Sequence, residues 1–227
     1  MKFSRLENLI GTSSLEKLKN STILVAGCGG VGGSVVEALA RSGVGNLILV
    51  DYDKVDITNF NRQVIATNKN IDKYKIDCFK DRINSINEEC NVITYNLKID
   101  SDNIRDIFNT KIDFVVDAVD DVKAKESIIN YCIENNIEFI SSMGTGNRLD
   151  PSKLVITTLD KTYNDPLARS MRSKFDKKIQ KKITVCTSIE VPLKVKDKTV
   201  IGSNAFVPNS AGLFIASYIV RKINETN

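Results

Sequence analysis

Four glycines near the start of the chain have the spacing of a phosphate-binding turn. They follow the apolar run 23–26 and are Gly27, Gly29, Gly30 and Gly32. Without side chains, such a turn lets backbone N–H groups approach a phosphate at the N-terminus of the following helix. Asp51 ends the next apolar run, 47–50, where an acidic side chain can hydrogen-bond a ribose hydroxyl. We interpret residues 23–53 as a strand–helix–strand unit that binds a nucleotide.

A second group of charged residues follows the apolar runs and has the chemistry to bind the phosphates of that nucleotide. The group consists of Asp53, Arg62, Lys75, Asp120 and Asp121. Loops after successive parallel strands meet at one edge of a doubly wound sheet, so we expect these side chains to converge. Arg62 and Lys75 would bind polyphosphate oxygens, because guanidinium and ammonium groups are phosphate ligands. The carboxylates of Asp53 and Asp120 would hold Mg²⁺ against the same phosphates.

The amino-acid composition limits the kinds of chemistry that the protein can carry out. The sequence contains no histidine, which excludes a serine–histidine pair, a histidine base and histidine metal ligands. Five cysteines occur without a C-x-x-C pair, so neither a disulfide framework nor a cysteine zinc site is indicated. Carboxylates, lysine, arginine, backbone amides and a hard cation remain, and they suit phosphate or acyl-phosphate chemistry better than peptide hydrolysis.

The elements that must position these residues alternate between strand and helix. This alternation predicts an α/β fold with a doubly wound, Rossmann-like and mainly parallel sheet. The predicted strands are 23–26, 47–50, 91–97, 113–117, 138–141, 154–159 and material around 183–195. The predicted helices are two short ones within 3–19, one after the glycine turn, 75–86, 102–108, 125–135, one from Pro166 and a final one at 211–223.

Length and hydropathy predict a globular protein with one domain. At 227 residues and 42% hydrophobic content, the chain is long enough for one large α/β domain. A turn at 143–151 separates a regular nucleotide-binding half, 1–143, from a less regular half, 144–227, that continues the same domain. No apolar run reaches the ~18 residues of a membrane helix, and residues 1–20 lack a signal-peptide pattern. We therefore expect a cytoplasmic protein with no membrane partner.

Short motifs connect these residues with a known superfamily. The motifs G-C-G-G-V-G, D-Y-D, T-N-F-N-R-Q and V-D-A-V-D, together with Lys75, resemble the adenylating fold of ubiquitin-activating enzymes and of their ThiF-type and MoeB-type bacterial relatives, which activate sulfur-carrier proteins. Further motifs are similar to the family of tRNA threonylcarbamoyladenosine dehydratases. They are E-A-L-A-R-S-G-V-G, the second asparagine of T-N-F-N-R-Q, G-T-G-N-R-L-D-P, D-P-L-A-R-S-M-R and G-S-N-A-F-V-P-N-S-A-G-L, and they run through nearly the whole chain.

The resemblance implies an ATP-dependent ligase that adenylates the carboxylate of threonylcarbamoyladenosine in tRNA and then cyclises this group. By the same resemblance, Asp51 binds the ribose of ATP. The phosphates are bound by Asn59, Arg62 and Lys75, whereas Asp120 organises Mg²⁺ and the α-phosphate. Magnesium-dependent adenylation of tRNA is thus the expected activity.

The resemblance also implies a homodimer. Arg5 stands where family members carry an N-terminal arginine that reaches the ATP of the other subunit, so it is a third candidate catalytic residue beside Arg62 and Asp120. The half 144–227 would carry substrate and dimer contacts. A monovalent cation is a further candidate cofactor, and a sulfur-relay protein is a further candidate partner.

Three features depart from the family pattern. Gly33 stands where serine is usual, Asp121 replaces a neutral residue beside Asp120, and the segment between Pro192 and Gly202 is short. The short segment would change substrate contacts, and the extra carboxylate of Asp121 would change the affinity for metal.

Three other functions fit parts of the sequence. An enzyme that activates a sulfur-carrier protein would share the adenylation site, with Cys186 as the candidate nucleophile, but the surrounding I-T-V-C-T-S favours a buried strand. A nicotinamide dehydrogenase would satisfy the glycine turn and leave Asn59, Arg62 and Lys75 unexplained. A protein that senses nucleotides without catalysis would not need a complete set of ATP-binding groups.

A basic run in the second half separates these functions. Between residues 169 and 182, seven positive charges stand against one acid: Arg169, Arg172, Lys174, Lys177, Lys178, Lys181 and Lys182. If one helix continues through the run, several of these charges share a face that could follow a phosphate backbone. The alternative is a solvated helix end. Because tRNA offers phosphates and a carrier protein does not, we predict that the run contacts tRNA.

Overall fold

A seven-stranded sheet forms the centre of the molecule. The computed structural model describes residues 2–197 and 199–225. The strand order is β3-β2-β1-β4-β5-β7-β6, and all neighbouring strands are parallel except β6 and β7, which are antiparallel. The strands are β1 (Thr22–Ala26), β2 (Asn46–Val50), β3 (Asn91–Tyr95), β4 (Phe114–Asp117), β5 (Phe139–Ser142), β6 (Leu154–Thr158) and β7 (Thr184–Ser188). The predicted doubly wound, mainly parallel sheet is confirmed.

Helices cover both faces of this sheet. They are α1 (Ser4–Ile10), α2 (Thr12–Lys19), α3 (Gly30–Arg41), α4 (Lys75–Ile86), α5 (Ile104–Ile107), α6 (Val122–Glu134), α7 (Pro166–Arg172), α8 (Lys177–Gln180) and α9 (Phe206–Glu225). One buried cluster joins the sheet to α3, α4 and α9, and a second joins it to α5, α6 and α7. Because both faces are covered, the central strands are nearly continuous apolar runs. No helix in the described part of the chain has the length and apolar character needed to cross a membrane.

The centre of the sheet contains the point where the chain reverses its winding direction. From β1 the chain adds β2 and β3 on one side, and from β4 it adds strands on the other side. Ligands of open α/β sheets bind at the carboxyl ends of the strands beside such a point. The ends of β1, β2 and β4 therefore define where a nucleotide site should lie.

Helix α9 connects the second half of the chain to the first. A Cβ atom on Gly212 would come within 2.5 Å of the Val31 carbonyl oxygen, so only glycine lets α9 lie this close to α3. The hydroxyl of Ser34 donates to Asn209 Oδ1 at 3.0 Å across the same contact. The two halves thus share one packed interface.

Several predicted element boundaries are wrong in the second half. The strand predicted around 183–195 ends at Ser188, because its antiparallel partner β6 begins at Leu154, the residue paired with Ser188. The final helix begins at Phe206 rather than 211. The basic run is not one helix: α7 ends at Arg172, and Asp176 caps the separate helix α8 by accepting from the Lys178 and Ile179 N–H groups.

Candidate functional site

The glycine turn folds tightly against its own chain. Gly27 has φ +85°, and a Cβ there would meet the Ala118 carbonyl oxygen at 2.7 Å. A Cβ on Gly32 would come within 1.8 Å of the Gly27 carbonyl oxygen. These two glycines close the turn, and Gly27 also lines, with Gly29 and Gly30, the cavity that the turn borders. The backbone is therefore exposed to a ligand where α3 begins.

Asp51 holds the glycine turn in place. Its carboxylate accepts from the N–H of Cys28 at 2.6 Å and from the N–H of Asp53 at 2.7 Å. Burial raises the pKa of Asp51, and the positive charge of Lys75 and these two N–H groups oppose that rise. Asp51 is 8% exposed and lines the cavity.

The cavity beside the turn has a volume of about 310 Å³ and lies at the ends of β1, β2 and β4. It brings together ten of the residues predicted to bind ATP: Gly27, Gly29, Gly30, Asp51, Asp53, Asn59, Arg62, Lys75, Asp120 and Asp121. Gly32 lies outside the lining and packs against the Gly27 carbonyl oxygen. Residues that are far apart in the sequence thus converge at the edge where the fold places ligands.

The basic groups of the cavity are held in fixed positions. The Nζ of buried Lys75 lies 2.6 Å from Asp53 Oδ2. Arg62 Nη1 donates to the carbonyl oxygen of Thr58 at 2.8 Å. Asn59 shapes the turn that carries Arg62, because its Oδ1 accepts from the N–H of Asp56 at 3.1 Å. The cavity therefore holds Arg62 and Lys75 in place, and Lys98 is a third positive group in its lining.

Two neighbouring carboxylates in the cavity have different surroundings. Asp121 caps α6 by accepting from the Ala124 N–H at 2.9 Å, and its other oxygen lies 2.9 Å from Lys98 Nζ. The Ala124 N–H, followed by Lys98, lowers the pKa of Asp121. Asp120 is exposed and makes no hydrogen bond or ion pair with residues 2–197 or 199–225. Asp120 is thus the carboxylate that is free to bind a ligand.

The metal-binding chemistry of the cavity fits Mg²⁺ that arrives with phosphate. Within the residues described, no group of three or more acidic or cysteine side chains could hold a metal ion. Mg²⁺ is commonly bound by one or two carboxylates together with substrate phosphates and waters. Asp120 provides one free carboxylate, while one oxygen of Asp53 is already paired with Lys75.

Some lining residues were not identified from the sequence. Gln63 is 7% exposed, lines the cavity, and its Oε1 has no hydrogen-bond partner among the described residues. Its position at the end of T-N-F-N-R-Q was the available signal. Leu97 and Ile99 form an apolar part of the wall after β3, where the chain has no periodic pattern that would single them out.

A second cavity of about 540 Å³ opens beside the first. The two cavities share seven lining residues: Val31, Arg62, Ala118, Val119, Asp120, Thr145 and Ser203. The second cavity continues toward the loop that carries Arg148, which is buried and donates to the carbonyl oxygens of Gly144, Asn164 and Glu190. Burial lowers the pKa of Arg148, and the charge of Asp165 opposes this effect. Arg148 thus ties together three segments of the second half.

The structure divides the basic run into two groups. Arg172 donates to the carbonyl oxygen and the hydroxyl of Thr162, and Lys174 lies 3.0 Å from Glu126. Both side chains therefore already have partners within the fold. The other five are exposed, and they are Arg169, Lys177, Lys178, Lys181 and Lys182. Because the run is interrupted between α7 and α8, these charges do not form the face of one continuous helix.

The structure gives physical reasons for two departures from the family pattern. A Cβ on Gly33 would meet Phe79 at 2.7 Å, so the aromatic ring fills the space that a serine side chain would need. Asp121 is occupied as the cap of α6 and as the partner of Lys98. The third departure, the segment between Pro192 and Gly202, includes Lys198, which lies outside the described residues.

Arg5 lies on α1 and does not line either cavity. Its side chain is exposed and makes no hydrogen bond or ion pair in the part of the chain that the structure describes. A single chain thus does not bring Arg5 together with Arg62 and Asp120.

The cysteines are unsuited to act as nucleophiles. All five are buried and free. Burial raises the pKa of Cys186 to about 12, which keeps this thiol protonated at neutral pH. Burial, together with the charge of Asp51, raises the pKa of Cys28 in the glycine turn well above its usual value. The expectation that Cys186 lies in a buried strand is confirmed.

Comparisons with known proteins agree with this architecture. The model of the ThiF family matches residues 3–226. A tRNA threonylcarbamoyladenosine dehydratase from Bacillus subtilis (strain 168) is 40% identical over 235 residues, covering 96% of this chain and 92% of the relative. A protein of the same name from Escherichia coli (strain K12) is 36% identical over 173 residues, covering 76% of this chain and 65% of the relative.

Solved structures show the same fold. The crystal structure of E. coli tRNA N6-threonylcarbamoyladenosine dehydratase, TcdA, in complex with AMP has a TM-score of 0.94 and 31% identity, covering 98% of this chain and 93% of that chain. The complex of the same protein with ATP has a TM-score of 0.92 at the same identity and coverage. The E. coli protein MccB in complex with ATP, at 22% identity and a TM-score of 0.71, shares the fold.

Proposed function

The chain belongs to the ThiF family, and from this premise we propose that it uses ATP to adenylate the carboxylate of threonylcarbamoyladenosine in tRNA and then cyclises that group. The observation that carries the proposal is the pair of connected cavities with Arg62 and Asp120 at their junction. One cavity has the glycine turn and charges suited to a nucleotide, and the other provides space for the group to be activated. The relatives that cover most of this chain are named for this reaction.

The residues at the junction support attack on a phosphate. The substrate carboxylate attacks the α-phosphorus of ATP, and pyrophosphate leaves as the bond to its bridging oxygen breaks. Arg62 and Lys75 bind phosphate oxygens and stabilise the charge that develops on them. When bound through Asp120, Mg²⁺ supplies further charge neutralisation on the phosphates. This scheme needs no histidine, which the sequence lacks.

Ring closure then follows from proximity. A nitrogen or oxygen of the same modified base attacks the activated carbonyl, AMP leaves, and the attacking group loses its proton to water. Because both reacting groups belong to one bound molecule, the step has a high effective concentration and needs little further catalysis. The net change in the nucleoside is the loss of one water.

We also propose a homodimer in which Arg5 reaches the ATP of the partner. Arg5 is exposed and unpaired within the described chain, and large apolar side chains are exposed nearby in the sequence at Leu9 and on α9 at Phe206, Leu213 and Phe214. Such side chains are commonly covered in an assembly. In this proposal, residues 1–143 bind the nucleotide and residues 144–227 provide most substrate and dimer contacts.

The exposed part of the basic run fits a contact with tRNA. Arg169, Lys177, Lys178, Lys181 and Lys182 are free to approach phosphates, whereas Arg172 and Lys174 are engaged within the fold. We therefore propose these five residues as the tRNA-binding group and place the protein in the cytoplasm with its substrate. A monovalent cation and a sulfur-relay protein stay predictions, and the addition of each to the activity assay tests them.

Adenylation of a sulfur-carrier protein is the weaker alternative. That function shares the ATP cavity, but it gains no support from Cys186, because burial keeps this thiol protonated and out of contact with solvent. The basic residues of α8 would also be without a role on a carrier protein that offers no phosphates.

The decisive experiment incubates the purified protein with ATP, Mg²⁺ and tRNA that carries threonylcarbamoyladenosine. Mass spectrometry of the digested nucleosides should show the loss of one water, and AMP should form in equal amount. Omission of ATP, or its replacement by NAD, should leave the nucleoside unchanged. A parallel reaction contains a carrier protein that ends in Gly-Gly. An adenylate on that protein, with unchanged tRNA, would contradict the proposed function and support the alternative.

A further inference from the structure

Four polar side chains line both cavities and therefore mark the place where the nucleotide and the carboxylate meet. They are Arg62, Asp120, Thr145 and Ser203. Arg62 and Asp120 already have roles in the proposed reaction. Ser203 is half-buried, and its hydroxyl makes no hydrogen bond to any residue in 2–197 or 199–225. Thr145 is also half-buried without a side-chain hydrogen bond to these residues, so two hydroxyl donors at the junction are left for a ligand, and Ser203 is the one whose backbone is held from both cavities.

The backbone of Ser203 is held from the nucleotide side by Asn61. The Nδ2 of Asn61 donates to the Ser203 carbonyl oxygen at 3.0 Å, although 142 residues separate the two in the sequence. The Oδ1 of the same side chain accepts from Arg62 Nη1 at 2.9 Å. One amide therefore connects the guanidinium that faces the phosphates to the segment that carries the free hydroxyl.

The same segment is held from the other cavity by Asn147. The N–H of Asn147 donates to the Gly202 carbonyl oxygen, and its Oδ1 accepts from the Gly202 N–H, both at 2.7 Å. Asn147 has φ +57°, a left-handed conformation that asparagine tolerates better than most residues. Asn204 adds a third bond through Nδ2 to the Arg148 carbonyl oxygen at 2.6 Å. The position of Ser203 is therefore fixed on both sides.

We propose that Ser203 binds the substrate carboxylate at the moment of attack, and that Asn61 and Asn147 are positioning residues that hold it there. The proposal rests on the proposed function. The hydroxyl donates to one carboxylate oxygen, and the other oxygen forms the bond to the α-phosphorus as the bond to pyrophosphate breaks. Ser203 keeps its proton throughout. An arginine or lysine would form an ion pair with the substrate carboxylate and stabilise it before the reaction. A neutral hydroxyl orients the carboxylate without forming such an ion pair.

The first test compares Ser203→Ala with Ser203→Thr. The loss of a hydrogen bond to a charged group should lower kcat/KM for the modified tRNA by about tenfold to a hundredfold in Ser203→Ala. Ser203→Thr keeps a hydroxyl and should recover most of this loss. The dissociation constant for ATP, measured by titration calorimetry without tRNA, should differ among the three proteins far less than kcat/KM does, because the proposed hydrogen bond of Ser203 is to the carboxylate.

The second test addresses the positioning residues. Asn61→Ala removes the donor to Ser203 without placing a new charge beside Arg62, so it should also lower kcat/KM, and the dissociation constant for ATP reports the share of the loss that acts through Arg62. In the double variant with Ser203→Ala, the two losses should add only in part, because the share that acts through Ser203 is already lost. Asn147→Gly suits the left-handed backbone and removes only the side-chain bond to Gly202. Its matched control is Asn136→Gly, at φ +53° and remote from both cavities.

The outcomes separate this inference from the proposed function. If the unmodified protein cyclises the nucleoside and Ser203→Ala matches it, the role of Ser203 is overturned and the proposed function stands. A loss of ATP affinity equal to the loss of activity would also overturn it, as would fully additive losses in the double variant. If the unmodified protein binds ATP but leaves tRNA unchanged, the proposed function fails first. Thermal unfolding of each variant should match that of the unmodified protein, and a variant that unfolds early is not used to judge the role of Ser203.

Discussion

The two connected cavities are built by different means. The nucleotide cavity lies at the ends of β1, β2 and β4, and its shape follows from parallel pairing and from the close approach of Gly32 to Gly27. The second cavity is formed by irregular segments that side chains tie together, chiefly Asn147 and Arg148. Backbone geometry therefore fixes the first cavity, whereas individual side chains fix the second. Substitution of a glycine should therefore disrupt the nucleotide cavity. Substitution of a single polar side chain should be enough to change the shape of the second cavity.

The largest expected effect lies where the two cavities meet. Asp120→Asn should lower the rate of AMP formation by about 10³-fold, because it removes the carboxylate that we propose holds Mg²⁺ against the phosphates. The neighbouring Asp121→Asn should cost much less, since asparagine also caps helices well and the Lys98 pair is exposed. AMP release with modified tRNA measures both. Equal losses in the two variants would contradict the different roles of these carboxylates.

A second effect tests whether the nucleotide cavity is complete within one chain. Arg5→Ala should lower adenylation by about 10²-fold, because the other phosphate-binding groups stay in place, and should leave a dimer, as measured by light scattering. After subunit exchange with Asp120→Ala, activity should return to about a quarter of that of the unmodified protein, because half of the dimers are mixed and each holds one intact site. Lack of recovery in mixed dimers that are shown to form would mean that Arg5 serves its own chain.

A smaller and graded effect on tRNA binding is expected at the exposed lysines of the basic run. Replacing Lys177, Lys178, Lys181 and Lys182 by glutamine should weaken tRNA binding. The slope of log K against log salt concentration should also become less steep, by about 0.9 for each phosphate that is no longer neutralised. The affinity for ATP should not change. The matched control replaces four exposed lysines elsewhere: Lys69, Lys80, Lys111 and Lys153. Equal changes in both variants would show that net charge, not position, determines binding.

The smallest effect is expected at Cys186. Cys186→Ala should keep full activity and lose about 1 kcal/mol of stability, because the thiol packs in the core and touches neither cavity. With its pKa raised to about 12, Cys186 stays protonated at pH 8, so iodoacetamide should label it only after unfolding. Rapid labelling of native protein, together with loss of activity, would restore the nucleophile hypothesis.

The difference between the cavities also explains what the sequence could predict. The glycine turn and Asp51 follow from spacing, because parallel strands fix where the loops after them lie. Chain order places Arg62 and Asp120 near each other for the same reason. Ser203 and Asn147 stand in two of the motifs that resemble the dehydratase family, but spacing could not place them. They lie in irregular segments, and only the folded backbone brings them to the junction. The sequence left open whether one helix continues through the basic run, because sequence periodicity does not reveal the cap at Asp176 that begins a separate helix.

The contact between α3 and α9 has a consequence for the order of folding. Ser34 and Asn209 bond across it although they are 175 residues apart in the sequence, and such distant contacts close late because the chain must lose much entropy first. Pro208, beside Asn209, lines the nucleotide cavity, so this cavity is completed only when α9 docks. A chain with the sheet formed and α9 detached would lack the full binding surface. ATP should therefore bind the fully folded protein more tightly than partly folded states in which α9 is detached. By mass action, bound ATP then stabilises the folded state.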